Sequence, residues 1–236
     1  MFFPQNQFKP VLILFYVIVA SSVWKYFSIP IAAGSFDNNW ATLFWLGMYP
    51  LVGSFLLFGV IPMAIIRYVF HEHLTDYGLR FGIPLRTIRS FLMAAPMVIL
   101  IAVLTGHNAA FFDVYPLNEA IRPQNARIGY SFFAMHAVIY LGYYFGWEFM
   151  FRGFLQHGLS TQCGIPTAIL IQTLASTMLH YGHPVSEVFG AMIAGLVWGV
   201  LAFRTRSIFS GFAQHALLGI VLDWTLIFTR QINGDF

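Results

Sequence analysis

Glu148 and Arg152 put a carboxylate and a guanidinium four residues apart in the run Gly146-Trp147-Glu148-Phe149-Met150-Phe151-Arg152-Gly153. On a helix that spacing stacks both groups on one face, close enough to pair. Downstream, His180 precedes the stop signals Gly182 and Pro184, and His183 and Glu187 follow within one or two helical turns. His215 and Asp223 lie eight residues apart, roughly on one helical face. A Glu, several His and an Arg brought together in an apolar setting suit hydrolysis by an activated water. A carboxylate takes the proton, one imidazole orients the water, and another donor stabilises an oxyanion. The bland reading of Glu148 and Arg152 is a paired charge that only locks two helices together.

The surroundings make that chemistry expensive to place. Hydrophobic residues are 58% of the 236, aromatic residues 18% and charged residues only 9%, with a mean hydropathy of +0.72. A soluble domain of this size would expose large apolar patches, so the chain is expected to be an all-α, polytopic transmembrane helix bundle. An ionisable residue at membrane depth is costly and is a functional-site hypothesis by default. The net charge of +3 is too small to argue for nucleic acid. Cys163 is the sole cysteine, which rules out an internal disulfide, and core packing is its expected fate.

The apolar runs predict about seven spans, or eight. They cover Val11 to Ile31, Ala41 to Ile66, Phe91 to Thr105, Tyr130 to Leu159, Ile165 to Tyr181, from Val185 to the Arg204-Thr205-Arg206 stop, and Ser207 to Phe228. Gly34 to Asn39 reads as a short loop. Residues 67–90 break the apolar pattern and read as an interfacial element. Within it, His71-Glu72-His73 lacks the HExxH spacing that places two imidazoles on one helix face. Gly106 to Ile128 is the longest polar loop. The fourth span is a long helix, or one broken near Gly146 and Gly153, and it carries His136, Tyr140 and Tyr144 at a spacing of four, which suits packing and hydrogen bonding. Ala191, Gly195 and Gly199 form a small-residue stripe for close helix packing.

A cytoplasmic N-terminus would put Lys9, Arg67, Arg80, Arg86, Arg89, Arg204 and Arg206 on the inner side and leave Arg122, Arg127 and Arg230 outside, as the positive-inside rule requires. Counting from the inner helix ends at about 1.5 Å per residue, Glu148 lies at roughly 16 Å, His215 at roughly 12 Å and His180 at roughly 24 Å. The whole chain, 1–236, reads as one integral membrane domain, with 129–228 as its motif-bearing core. The expected location is the plasma (inner) membrane. Zn²⁺ on the same His and carboxylate groups is the less favoured chemistry, because no tight local ligand pair is present, and no cofactor is expected.

Between Gly142 and Asp223 the chain resembles the CPBP family of intramembrane proteases, which includes the CAAX prenyl endopeptidases and the bacteriocin-processing Abi proteins. Members look like Glu-Glu-x-x-x-Arg-Gly on one span, Phe-x-x-x-His on the next and His-x-x-x-Asn or Asp on a later one. Glu148, Arg152 and Gly153 match the first motif, His180 the second, and Gln214-His215 the third. Three positions depart from it. Trp147 stands where the family has its first Glu, Ser176 replaces the Phe, and Gly219 stands where an Asn or Asp would help form the oxyanion site. Glu148 points about 100° away from Trp147 around a helix, so it cannot inherit the missing role without rotation.

The resemblance implies a glutamate-dependent intramembrane endopeptidase acting on a membrane-attached peptide or protein, by CAAX-type or leader-peptide processing. Glu148 would be the base, His180 its partner on water, His215 the oxyanion stabiliser and Arg152 the orienter of Glu148. His183, Glu187 and Asp223 would support them. The alternative is a catalytically inactive relative serving as a membrane scaffold, immunity or regulatory protein. A proton-coupled transporter is a weaker third option, since no internal repeat is visible.

Overall fold

The structure is a computed structural model that describes residues 5–27, 39–122 and 128–233, with no strand among them. Seven helical segments follow one another: α1 (Gln5–Phe27), α2 (Trp40–Val69), α3 (Pro84–Gly106), α4 (130–163), α5 (Ile165–Met178), α6 (Val185–Thr205) and α7 (Phe209–Asn233). Five of them, α1, α2, α3, α6 and α7, are long and apolar enough to cross a membrane, and α5 is a shorter apolar helix. Leu92, Met93, Leu100 and Leu104 on α3, Leu170 and Leu174 on α5, and Phe189 and Ile193 on α6 are exposed. An outward apolar surface of this kind is what lipid requires, because polar groups are costly in hydrocarbon, and a helix satisfies its own backbone groups there. The chain is thus a polytopic helical bundle. The expected Gly34 to Asn39 loop and the Arg127 position lie outside the described residues apart from Asn39, whose side chain accepts from the Ala41 amide and caps α2. The side chain of Arg230 is likewise outside them.

Several boundaries differ from the pattern in the sequence. α3 begins at Pro84 and not at Phe91, because Pro84 is preorganised for a first helical turn and Thr87 and Ser90 hydrogen-bond back to the backbone there. Arg86 and Arg89 therefore belong to the helix, and the interfacial element shrinks to about residues 70–83, with a short 3₁₀ turn at Leu74–Tyr77. The loop after α3 is not simply polar. It buries Phe111, Asn118, Ala120 and Ile121, and the Trp40 indole donates to the Ala120 carbonyl at 3.0 Å. Cys163 is exposed at the end of α4, where its thiol meets the Leu159 carbonyl, so it is not a core residue.

Two helices are widened by π-helical turns. α2 has them at Phe55–Val60 and Ile65–Val69, and the Tyr16 hydroxyl donates to the Leu57 carbonyl at 2.7 Å, supplying a carbonyl in the wide turn with a partner. α4 neither ends nor breaks at Gly146 or Gly153. It widens at Phe149–His157, directly after Glu148, and this stretch carries Arg152.

The predicted small-residue stripe is where α5 meets α6. A side chain at Gly195 would press on Thr173, and one at Gly199 on Gln172 and Gln156, both closer than 3.0 Å. The bare helix lets the Gln172 and Gln156 amides donate to the Gly195 and Gly199 carbonyls at 2.8 and 2.9 Å. One end of the bundle gathers the basic groups. Lys9 bonds both Glu72 oxygens at 2.8 Å, and Arg80 donates to the Arg206 carbonyl at 3.1 Å.

Candidate functional site

A cavity of about 590 Å³ lies among α3, α4, α6 and α7. Its polar wall includes Tyr115, Tyr144, Arg152, His180, Glu187 and His215, and its apolar wall includes Met97, Ile101, Ile193 and Val197. Those four apolar side chains are themselves exposed, so the cavity opens sideways between α3 and α6 onto the lipid-facing surface.

Of the seven residues singled out in the sequence, five touch or closely back this cavity as one unit, and a sixth, His183, adjoins it. His180 sits just beyond α5, and its Nδ1 donates to the Ser176 carbonyl at 2.9 Å. A carbonyl can only accept, so in the neutral ring Nε2 carries the lone pair. That nitrogen is 3.9 Å from Glu187 Oε1. Glu187 in turn accepts from His183 Nδ1 at 2.7 Å and from the Tyr115 hydroxyl at 2.8 Å, both at Oε1. Its other oxygen, Oε2, is buried and has no hydrogen-bond partner among the described residues. Glu187 reaches this place because it occupies the first turn of α6, immediately after the turn that holds His180 and His183.

The second half of the site hangs on α4 and α7. Glu148 is fully buried, and its Oε1 meets His215 Nδ1 at 2.8 Å and Arg152 Nη1 at 3.2 Å. The 148/152 pairing across four residues is therefore present, within the widened turn. Glu148 itself does not line the cavity, whereas Arg152 and His215 do. Its Oε2 faces Gly211, where a Cβ would approach to 2.7 Å. The Arg152 guanidinium also lies over the Trp198 ring, 5.6 Å from its centroid.

Trp147 stands between the halves, with its ring 5.5 Å from that of His180 and 6.3 Å from that of His215. It is held from behind by Trp24, Phe58 and Phe151, with ring centroids at 5.7, 5.9 and 5.1 Å. Ser176, at the place of the motif Phe, lines the cavity and presents the carbonyl that fixes His180.

Asp223 is not brought to the site. It binds His136 at 2.9 Å, and both side chains are completely buried outside the cavity wall. The eight-residue spacing from His215 does not suffice to bring Asp223 to the same opening. Tyr115 is the residue the sequence did not reveal. It lies in the long polar loop, where no periodicity marks an inward-facing side chain. Tyr144, whose spacing suits packing and hydrogen bonding, lines the cavity with its ring 4.6 Å from that of His215.

His71 and His73 flank Glu72, which is engaged by Lys9 and Tyr77 at the far end of the bundle. Among the described residues no three His, Cys, Asp or Glu side chains converge as a metal-ligand set. The pairs His180/Glu187 and His215/Glu148 are the groups best placed to manage protons and charge at the cavity.

Residues 129–232 match the family model described as type II CAAX prenyl endopeptidase Rce1-like. No curated protein and no solved structure matches the chain. The matched stretch begins just before α4 and ends within α7, so it contains Tyr144, Arg152, His180, Glu187 and His215 of the polar wall but not Tyr115. Over residues 129–232, a little under half of its length, this multi-pass membrane protein is similar to the CAAX-type intramembrane proteases of the CPBP family.

Proposed function

We propose that the protein hydrolyses a peptide bond in a prenylated or otherwise membrane-attached peptide, with Glu187 and His180 activating the water. The observation that carries this reading is the pairing of Glu187 and His180 in the cavity wall, with the lone-pair nitrogen of His180 3.9 Å from Glu187 Oε1 and the second carboxylate oxygen, Oε2, without a partner among the described residues. His180 Nε2 and Glu187 Oε1 are 3.9 Å apart, which leaves room for a water at about 2.8 Å from each, donating one hydrogen to each. The remaining lone pair then faces a carbonyl carbon in the cavity. His183 and Tyr115 hold Glu187 in place and leave Oε2 free to take the proton.

Glu148, expected from the sequence to be the base, is assigned a different role in this reading. Engaged by His215 and Arg152 behind the wall, it orients the His215 ring and stabilises its protonated form, whose Nε2–H then serves the oxyanion. Trp147 replaces the carboxylate of the first motif, and Glu187 supplies that carboxylate from another helix. The lateral opening beside Met97, Ile101, Ile193 and Val197 suits entry of a lipid chain from the bilayer. Residues 129–228 would form the catalytic unit. The side gathering Lys9, Arg80 and Arg206 would face the cytoplasm, with the protein in the plasma (inner) membrane.

The test is mass-spectrometric detection of cleavage in liposomes, using a panel of farnesylated, geranylgeranylated and leader peptides. Wild type is expected to cut a prenylated peptide and Glu187→Gln to leave it intact. A wild type that leaves every peptide intact, with its fold verified, would return the chain to the silent scaffold or regulatory alternative.

A further inference from the structure

Gly219 lies one turn beyond His215 on α7, where a side chain would share the wall of the cavity with the imidazole. It has none, and the space that its Cβ would fill is taken by the hydroxyl of Tyr144 from α4. The Tyr144 ring is buried, packs against His215 at 4.6 Å and is braced on its other side by Tyr140 at 4.5 Å. Both Tyr144 and Gly219 line the cavity, together with His180 and Glu187. A phenolic hydroxyl is therefore fixed one helical turn from the imidazole, in the wall where a second hydrogen-bond donor could act with His215.

We propose that the Tyr144 hydroxyl is a catalytic residue, donating with His215 Nε2–H to the oxyanion of the tetrahedral intermediate. The inference rests on the peptidase reading above. In the step it serves, the water oxygen bonds to the carbonyl carbon while its proton passes to the Glu187/His180 pair. The carbonyl π electrons move to oxygen, which accepts hydrogen bonds from Tyr144 and His215. Collapse of the intermediate restores the C=O bond, breaks the C–N bond and returns the proton to the leaving amine. Tyr144 donates a hydrogen bond throughout and keeps its proton. The absence of a side chain at 219 is what makes room for that hydroxyl, so the two positions act as a compensating pair.

The experiment compares wild type, Tyr144→Phe, and the double variant Tyr144→Ala/Gly219→Asn in nanodiscs. Each is assayed for cleavage of a farnesylated peptide. Each is also titrated with two uncleavable versions of it, a tetrahedral phosphonamidate and a reduced-amide isostere with no oxygen at the reacting centre. Loss of one oxyanion donor is expected to lower kcat by about 10²–10³-fold with KM nearly unchanged. Tyr144→Phe should weaken the phosphonamidate by a similar factor and leave the reduced amide alone. The double variant should recover much of both kcat and phosphonamidate affinity, which a merely structural role for Tyr144 would not allow.

If Tyr144→Phe binds both compounds and cleaves as wild type does, the inference is overturned while the peptidase reading stands. It is equally overturned if both compounds weaken together, which would mark Tyr144 as a packing residue. If folded wild type binds neither compound and cleaves nothing, the peptidase reading fails and takes this inference with it.

Discussion

His215 and His136 each hold a carboxylate from another helix, at 2.8 Å to Glu148 and 2.9 Å to Asp223. By distance alone the two pairs are the same device. His215 faces the cavity with part of its ring, and its carboxylate has a second partner in Arg152 at 3.2 Å. His136 and Asp223 are sealed at zero exposure, with His136 Nδ1 and Asp223 Oδ1 lacking partners among the described residues. Burial in hydrocarbon-like surroundings makes any such pair hard to break. Only an opening that a substrate can enter turns one into chemistry. Glu187 extends the contrast, since it lines the cavity itself, whereas Glu148 lies behind the wall.

The largest expected effect separates the two carboxylates beside the cavity. Glu187→Gln should lower the cleavage rate by about 10²–10⁴-fold, the range for loss of a positioned general base. Glu148→Gln should cost about 10–100-fold, as for a group that only orients a working imidazole. Initial rates by mass spectrometry in liposomes decide the matter. A Glu148→Gln loss as deep as that of Glu187→Gln would restore Glu148 as the base and break the distinction drawn here.

The sealed pair should respond oppositely. Asp223→Ala leaves a buried imidazole without its partner and should destabilise the protein by about 3–5 kcal/mol. Replacing both members, as in His136→Leu/Asp223→Leu, should recover most of that loss. Turnover per folded molecule should not change in either. Thermal unfolding in detergent alongside kcat measures both quantities. A fall in kcat in the double variant would show that the pair serves the site after all. Gly211→Ala lies between these cases, because its new methyl would press on Glu148 Oε2. A cost of about 1–3 kcal/mol is expected, the range for overpacking, together with a reduced rate through the displaced carboxylate.

The seven helices were legible because each is an apolar run bounded by charges or by Gly and Pro, and the α5/α6 contact was legible as a stripe of small residues. The wide turns were not. A π-helical stretch such as Phe149–His157 uses the same residues as an α-helix and differs only in which carbonyl each amide reaches. At the site, His180 and His215 could be named from their motifs, and Glu148, the base expected from the sequence, is found behind the cavity wall. What the sequence could not show was that the turn after α5 folds Glu187 back onto His180, or that Tyr115 in a distant loop holds it. Both depend on contacts between segments far apart in the chain, 72 residues in the case of Tyr115 and Glu187. Asp223 misled for the same reason, since its true partner is on α4.

The smallest expected effect belongs to a carboxylate outside the membrane. Burial raises the Glu72 carboxyl, but the hydrogen bonds from Lys9 and Tyr77 and the Lys9 charge outweigh it, so the group sits below the ordinary carboxylate range. A folded value below the unfolded one means that Glu72 contributes stability above the unfolded value, about 4.3, and loses it as pH falls through the folded value. With 37% of the Glu72 side chain exposed, screening reduces the contribution to about 0–1 kcal/mol. Melting temperature in detergent should therefore hold steady near neutral pH and fall slightly below about pH 4. Glu72→Gln should remove that part of the acid sensitivity without altering turnover, because the Lys9 cluster lies at the opposite end of the bundle from Glu187. An unchanged acid slope in Glu72→Gln would move its origin to another carboxylate. A change in turnover would show that the two ends of the bundle are coupled, which the separate contacts of Glu72 and Glu187 argue against.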